Sequence, residues 1–435
     1  MPWGGWSRQH WGEVLLSSLA TPLPRLPFGT LGAQFAIGAL FLIHIALVGF
    51  ILAATGMAPF LELAGRRRGG DPSCLRYARG LSRAILYLYS LGATWAVLAV
   101  FLLAGLYGRL IGTLLNELLL PLTIAFASFF VGIPLMLLYA YCWDRFSPRL
   151  HLAVGFAFAA VQYVFLFTIV ELDSYVLTPG TSVSAVGAAF SPSYPWLLLH
   201  YAGANLSWAP LLLAGIAVWR GRRAKSAAEI TYQRWAARIM FAIGSVFLLA
   251  QPITGFLLAE TVKTSSLPAF DNLFVLNSAS LFIGQVALLA VLVVGANLVF
   301  WRHNQSSAAS GGGTLTVVAL LGMAATALPA AVIPSNLVLL RYLALLIAFL
   351  ATAVNLVSYL RSLRGGASSA KIPPLAGRLI GVVGVCALVL SLYMGVIKEN
   401  AKLPCGIDAT TGQDGCLLSL QQSAQNFTVP RGYQP

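Results

Sequence analysis

The sequence predicts an all-α, polytopic transmembrane helical bundle of about ten spans, with the N-terminus and C-terminus outside. Three observations predict it. First, the 435 residues are 58% hydrophobic and only 9% charged, whereas soluble domains carry about 25% charged residues. Second, apolar runs of about 20 residues recur from Gln34 onward, each long enough to cross a hydrocarbon core of ~30 Å at ~1.5 Å per residue. Such runs must be helical, because an open strand edge leaves its backbone unbonded in lipid. Third, the basic residues alternate between one side and the other.

The spans read near 35–56, 84–106, 114–142, 152–172, 195–219, 239–258, 273–300, 314–333, 337–360 and 376–397. The third is long and holds Pro121 and Pro134, which predicts a kink or a tilt. Leu177, Thr178, Pro179 and Gly180 read as a turn after the fourth. Ser306–Gly313 reads as a linker, and no internal repeat is evident.

A net charge of +14 would suit nucleic acid, but its distribution excludes that class. The loops between spans 1–2, 3–4, 5–6, 7–8 and 9–10, with their flanks, hold 19 of the 27 Lys and Arg. Arg66, Arg67, Arg68, Arg76, Arg79, Arg220, Arg222, Arg223 and Lys225 are among them. This is the positive-inside pattern, which places those loops in the cytoplasm. Contact with anionic lipid is a secondary use of the same charges. Residues 1–33 lack the basic start and apolar core of a signal peptide. With Trp3, Trp6 and Trp11 they read as an outer interfacial segment. Residues 34–400 form the bundle, and 401–435 an outer tail. Cys74, Cys142 and Cys386 are scattered, but Cys405 and Cys416 share that tail. An outer location favours a Cys405–Cys416 disulfide. The rival, a c-type haem site, needs a C-x-x-C-H run, and the tail has no histidine.

Among five histidines, His10, His151 and His303 fall at or beyond the span edges and read as interfacial or solvated. His44 and His200 lie inside spans 1 and 5, where an ionisable group is costly and by default functional. Both fall in the outer half of the membrane. A neutral imidazole there suits a metal role as a haem-iron ligand; a helix-to-helix hydrogen bond is the plainer alternative. Arg341, near the outer end of span 9, suits a haem propionate or a lipid phosphate. Met394 and Met323 are candidate thioether ligands, with core packing as the alternative. Glu260, Lys263 and Asp271, in the outer loop after span 6, could meet a quinol headgroup or be ordinary loop charges. The sequence has no P-loop, no dinucleotide-binding glycine motif, no H-E-x-x-H and no hydrolase triad.

In these motifs the chain resembles subunit I of the cytochrome bd quinol oxidases. The first span, from Gln34-Phe35-Ala36 to Leu42-Ile43-His44, is similar to that family's opening helix with its haem-ligating histidine, at slightly longer spacing. Cys142-Trp143-Asp144-Arg145-Phe146 resembles its short W-D-R turn, and Ser174–Pro179 its W-M-x-N-P segment. Leu198-Leu199-His200 is similar to the start of the helix carrying the low-spin haem histidine. Gly255-Phe256 with Lys263-Thr264 resembles the start of the quinol-binding loop, Arg341-Tyr342 the arginine at the low-spin haem, and Glu399 with Leu403-Pro404 a late segment. The resemblance covers spans 1–6 and, more weakly, 9–10.

The departures fall on acids and on one sulfur. The family's P-L-x-I-E reads Pro121-Leu122-Thr123-Ile124-Ala125 here, its next glutamate falls near Ile133-Pro134, and Trp95–Leu106 offers no counterpart to a third. Leu392, Tyr393 and Met394 stand where a late helix supplies another, and Leu343 aligns with the low-spin haem's methionine. Reduction of oxygen by this chain alone is therefore not expected. The resemblance implies a b-type cytochrome subunit with one or two haems b in a bacterial or archaeal cell membrane. It would pass electrons between quinol and an outer-face partner, beside a second membrane subunit. The alternatives are a divergent terminal oxidase, a haem-free anchor subunit, and a secondary transporter, the last disfavoured by the absence of repeat symmetry.

Overall fold

The computed structural model describes residues 29–67, 69–106, 111–112, 115, 118–178, 191–274, 279–305, 312–327, 339–364 and 371–401. All regular structure among the described residues is helical. The helices are α1 (Gly29–Arg66), α2 (Pro72–Leu106), α3 (Leu119–Tyr141), α4 (Pro148–Leu177), α5 (Tyr194–Arg223), α6 (Ala227–Ser265), α7 (Leu267–Phe274), α8 (Ala279–Gln305), α9 (Gly312–Ala327), α10 (Leu339–Arg364) and α11 (Pro374–Ala401). Nine are long and apolar enough to cross a membrane, among the described residues. The remaining expected span, 314–333, coincides with α9, which has 16 described residues.

The local sequence explains the helix ends. Ser147 caps α4 by accepting from the Leu150 N–H at 3.4 Å, with Pro148 at the first helical position. Ser226 caps α6 by accepting from the Glu229 N–H at 3.2 Å, the serine-to-glutamate spacing of a capping box. Pro121 falls in the first turn of α3, where its missing N–H leaves no helical bond unmade. Gly69 takes a φ of 75° in the turn between α1 and α2, a conformation most side chains resist.

The helices pair in chain order, α1 with α2, α3 with α4, and most extensively α5 with α6. α11 packs against both α5 and α8, and so ties the first six helices to the last ones. Close approach depends on small residues. A side chain at Gly244 of α6 would stand 2.8 Å from the Ser207 carbonyl of α5. The α8–α10 region is joined by amides. Asn297 donates to Thr352 at 2.9 Å, and Asn355 donates to Asn297 at 2.9 Å and to Thr316 at 3.2 Å.

The basic end is held by a buried ionic cluster that corrects one expectation. His151, read as interfacial, is 0% exposed. Its Nδ1 lies 2.8 Å from Glu62 Oε1 and its Nε2 3.0 Å from the Tyr139 carbonyl. Arg66 donates to the same Glu62 oxygen at 2.7 Å. His303 is also buried, with Nε2 2.7 Å from Ser362 Oγ. Both histidines lie near span edges in sequence, but neighbouring helices project beyond the apolar segments and cover them. His151→Ala leaves the Glu62 carboxylate buried with one partner fewer, and we expect a loss on the order of 3 kcal/mol, read as a lower thermal unfolding midpoint of the purified protein.

Candidate functional site

Helix α1 meets α5 where Gly49 faces the side chain of Asn205. His44 and His200 each stand five residues before that contact, on helices that start at the same end of the bundle. Five residues of helix rise ~7.5 Å, so the fold brings the two imidazoles to one depth. α4 runs the opposite way, with Phe60 packed edge-on against Phe156 and Glu62 bonded to His151. Counted outward from that end, Glu171 of α4 arrives near the level of His44.

His200 is held from α6. Its Nδ1 lies 3.1 Å from Thr254 Oγ1. That hydroxyl can donate to the Ala250 or Gln251 carbonyl, at 3.4 and 3.3 Å, which leaves a lone pair to accept Nδ1–H. Gln251, its amide nitrogen assigned toward His200, lies 3.2 Å from both the His200 carbonyl and Nδ1 and accepts from the Ala204 N–H at 3.0 Å; Nδ1 is thus either an acceptor from Gln251 or a donor to Thr254, according to the tautomer. A side chain on Gly255 would stand 3.3 Å from the His200 ring, so glycine lets the α6 backbone approach it. His44 is half-buried on the α1 face toward α2, beside the Gly92 backbone. Its Nδ1 is buried without a hydrogen-bond partner.

The start of α5 is pinned to the end of α4 by buried hydroxyls. Ser174 lies 2.7 Å from Ser191 and 2.8 Å from Ser193, and Thr178 lies 3.0 Å from Ser191. Ser191 donates to the Thr178 carbonyl at 2.8 Å. Tyr201, next to His200, donates to Asp173 of α4 at 2.8 Å. Glu171 is 8% exposed, and its Oε1 has no partner. Sequence reasoning missed these two acids. The available signal was the Glu171-Leu172-Asp173 run closing an apolar span, which reads as a span edge until α5 is packed over it.

Glu260 and Lys263 are on a helix rather than in a loop, because α6 continues to Ser265. Val262 is fully buried there against Ala269 of α7 and Leu177, and this apolar contact extends the helix past the expected span. Both residues are exposed, and the Lys263 ammonium lies 5.9 Å from the Phe270 ring. Asp271 sits on α7. Lys263 is nine residues beyond Thr254, or ~14 Å along one helix. Met394 is half-buried on α11, which meets α1 at this level: a side chain on Gly395 would lie 3.3 Å from Leu42 and 3.8 Å from Ile45, the neighbour of His44. Met323 lies on α9. The side chain of Arg341, in the first turn of α10, and Cys405 and Cys416 lie outside the described residues.

Two neutral imidazoles in apolar surroundings are a suitable donor set for haem iron. The unpartnered His44 nitrogen fits such a group. Compared with known families, residues 32–269 match the one described as cytochrome bd terminal oxidase subunit I. That stretch holds His44, His200, Glu260 and Lys263; Arg341 and Met394 lie beyond it. Among solved structures the chain is similar to the bd oxidase from Geobacillus thermodenitrificans, with 16% identity and a TM-score of 0.53 over 85% of this chain and 97% of that one. At that identity the likeness concerns the fold. No curated protein matches the chain.

Thr178→Val removes a hydroxyl of nearly the same shape and leaves Ser191 and the Ser193 N–H short of a partner. We expect about 1–3 kcal/mol of destabilisation, measured as a lower unfolding midpoint with helix content retained by circular dichroism.

Proposed function

We propose a function from one premise: the chain belongs to the cytochrome bd terminal oxidase subunit I family. It is therefore a membrane subunit of haem-bearing, quinol-linked respiratory machinery. Within that frame we propose a b-type cytochrome that carries one or two haems b on His44 and His200. It passes electrons between quinol and a partner on the outer face, in a bacterial cell membrane and beside a second membrane subunit. The observation that carries this reading is the pair of imidazoles at one depth in apolar surroundings.

Bound haem supplies one-electron redox chemistry. The chain supplies ligands, orientation and charge. In the tautomer that donates Nδ1–H to the Thr254 hydroxyl, the Nε2 lone pair of His200 would be left for iron. Gln251 bonds the α5 backbone at His200 and Ala204, fixing how the ring is presented. His44 would offer a second ligand, with Met394 on the adjoining helix as a further candidate, and Arg341 would supply counter-charge to a propionate. Lys263 donates a hydrogen bond to a quinone oxygen, and Glu260 takes a proton from the quinol hydroxyl. Both stand on α6, whose Thr254 contacts His200 of α5, so quinol binding and haem orientation would share one rigid element.

One observation favours a second reading, a divergent oxidase with a relocated acid. α3 carries Ala125 where the family has glutamate, yet Glu171 of α4 places a buried carboxylate near the level of His44.

A reduced-minus-oxidised visible spectrum with pyridine haemochrome quantification tests the first reading. We expect one or two b haems per chain and no d-type band. His200→Ala should remove one b band while the protein still inserts, and His44→Ala should remove a second; unchanged spectra would refute the assignment. If both histidines ligate one iron, either change affects the same band. Protein free of haem, purified with its native partners, would point instead to an anchor subunit. Lys263→Ala should raise the KM for a soluble quinol about tenfold, the scale of one charge-assisted hydrogen bond, with kcat largely kept. Oxygen uptake abolished by Glu171→Gln with the haem bands intact would establish the second reading.

A further inference from the structure

A cavity of about 550 Å³ opens at the basic end of the bundle, far along the helices from the two membrane histidines. It lies between the first turns of α2, the end of α5 and the start of α6. Five arginines line it: Arg76, Arg79, Arg83, Arg220 and Arg223. Two are already engaged. Arg76 bonds Glu229 at 2.5 Å, and Arg79 bonds Asp144. Arg83, Arg220 and Arg223 form no salt bridge among the described residues, and all three are exposed. Topology requires only that positive charge lie on this side of the membrane. It does not require guanidinium groups from two helices to surround one hollow, which α6 closes with Glu229, Tyr232 and Gln233.

Two of these groups are also held in place. The Arg76 guanidinium lies 3.7 Å from the centre of the Tyr232 ring, and that of Arg223 lies 4.2 Å from the Trp219 ring. Stacking fixes the plane of a guanidinium and leaves its N–H edge to bind. Trp219 is 52% exposed beside the cavity, as suits an aromatic side chain at a membrane–water boundary. Gly80 forms part of the wall, and a side chain built there meets nothing within 4 Å.

We propose that this cavity binds a phosphate-bearing anion, presented either by the headgroup of an anionic phospholipid or by free phosphate. Guanidinium groups bind phosphate oxygens in pairs, and arginine-lined hollows at the basic end of a bundle suit anionic headgroups. The site is independent of the haem reading, and its test uses no redox signal.

The experiment uses the full chain purified with its membrane partners in a neutral detergent and stripped of lipid. Dioleoylphosphatidylglycerol, dioleoylphosphatidylcholine or inorganic phosphate is added, and binding is read by native mass spectrometry and the thermal unfolding midpoint. Phosphatidylglycerol should bind and raise the midpoint, and phosphatidylcholine should not. Gly80→Leu, which fills the hollow and keeps every charge, should weaken binding about tenfold or more. The triple variant Arg83→Lys, Arg220→Lys, Arg223→Lys keeps charge and topology but loses paired bonding, and should also bind more weakly. Protection by inorganic phosphate alone, with displacement of phosphatidylglycerol, would support the site and identify free phosphate as its source. If neither probe distinguishes the native protein from Gly80→Leu, the proposal fails; the arginines then serve topology or meet an acidic face of a neighbouring subunit.

Discussion

Hydrocarbon offers no hydrogen bonds, so each polar group within this bundle must find its partner on another helix or on its own backbone. That constraint sets helix register. Apolar faces in lipid slide past one another with little preference, whereas a buried hydroxyl or amide is satisfied at one position only. Ser174 and Thr178 fix α4 against the start of α5. Asn297 and Asn355 fix α8 against α9 and α10. Glu62 and His151 fix α1 against α4. The depth shared by His44 and His200 follows from these pins, because neither ring bonds the other's helix in a way that would set it.

The pins change character along the membrane normal. At the basic end they are ionic, with Arg66 and His151 sharing one oxygen of Glu62. There, water lies within reach of the helix ends, and the desolvation of a charge is only partial. At the level of the two histidines they are neutral hydroxyls and amides, Thr254 and Gln251 foremost. A neutral environment keeps an imidazole uncharged and able to bind a metal. Two buried atoms without a partner, His44 Nδ1 and Glu171 Oε1, stand at that same level. Unsatisfied polar atoms are costly in lipid, and this is the level of the proposed site.

Membership of the family and the departures from it are compatible in physical terms. The proposed imidazole ligands and the proposed quinol-side lysine need only helices of the right spacing, which α1, α5 and α6 provide. The acids on the family's third helix serve proton delivery, a separate task that can move or be lost without disturbing the packing. Ala125 is buried on α3, where a glutamate would need a partner.

By itself the sequence determined what depends on local chemistry. Span positions follow from hydropathy, the basic and non-basic ends of the bundle from the distribution of arginine and lysine, and the shared depth of His44 and His200 within their spans from counting along a helix. Each is set by the energy of a short segment in lipid or at its surface. Tertiary structure decided what depends on pairing between distant segments. It buried His151 against Glu62, although their sequence positions suggest a water-exposed edge. It lengthened α6 past its apolar run, so that Glu260 and Lys263 became helical residues anchored by Val262. It placed Glu171 within the bundle, and it gathered arginines from two helices around one hollow. The physical reason is that a polar side chain in a membrane takes its role from its partner, and that partner lies on a helix whose place only packing fixes.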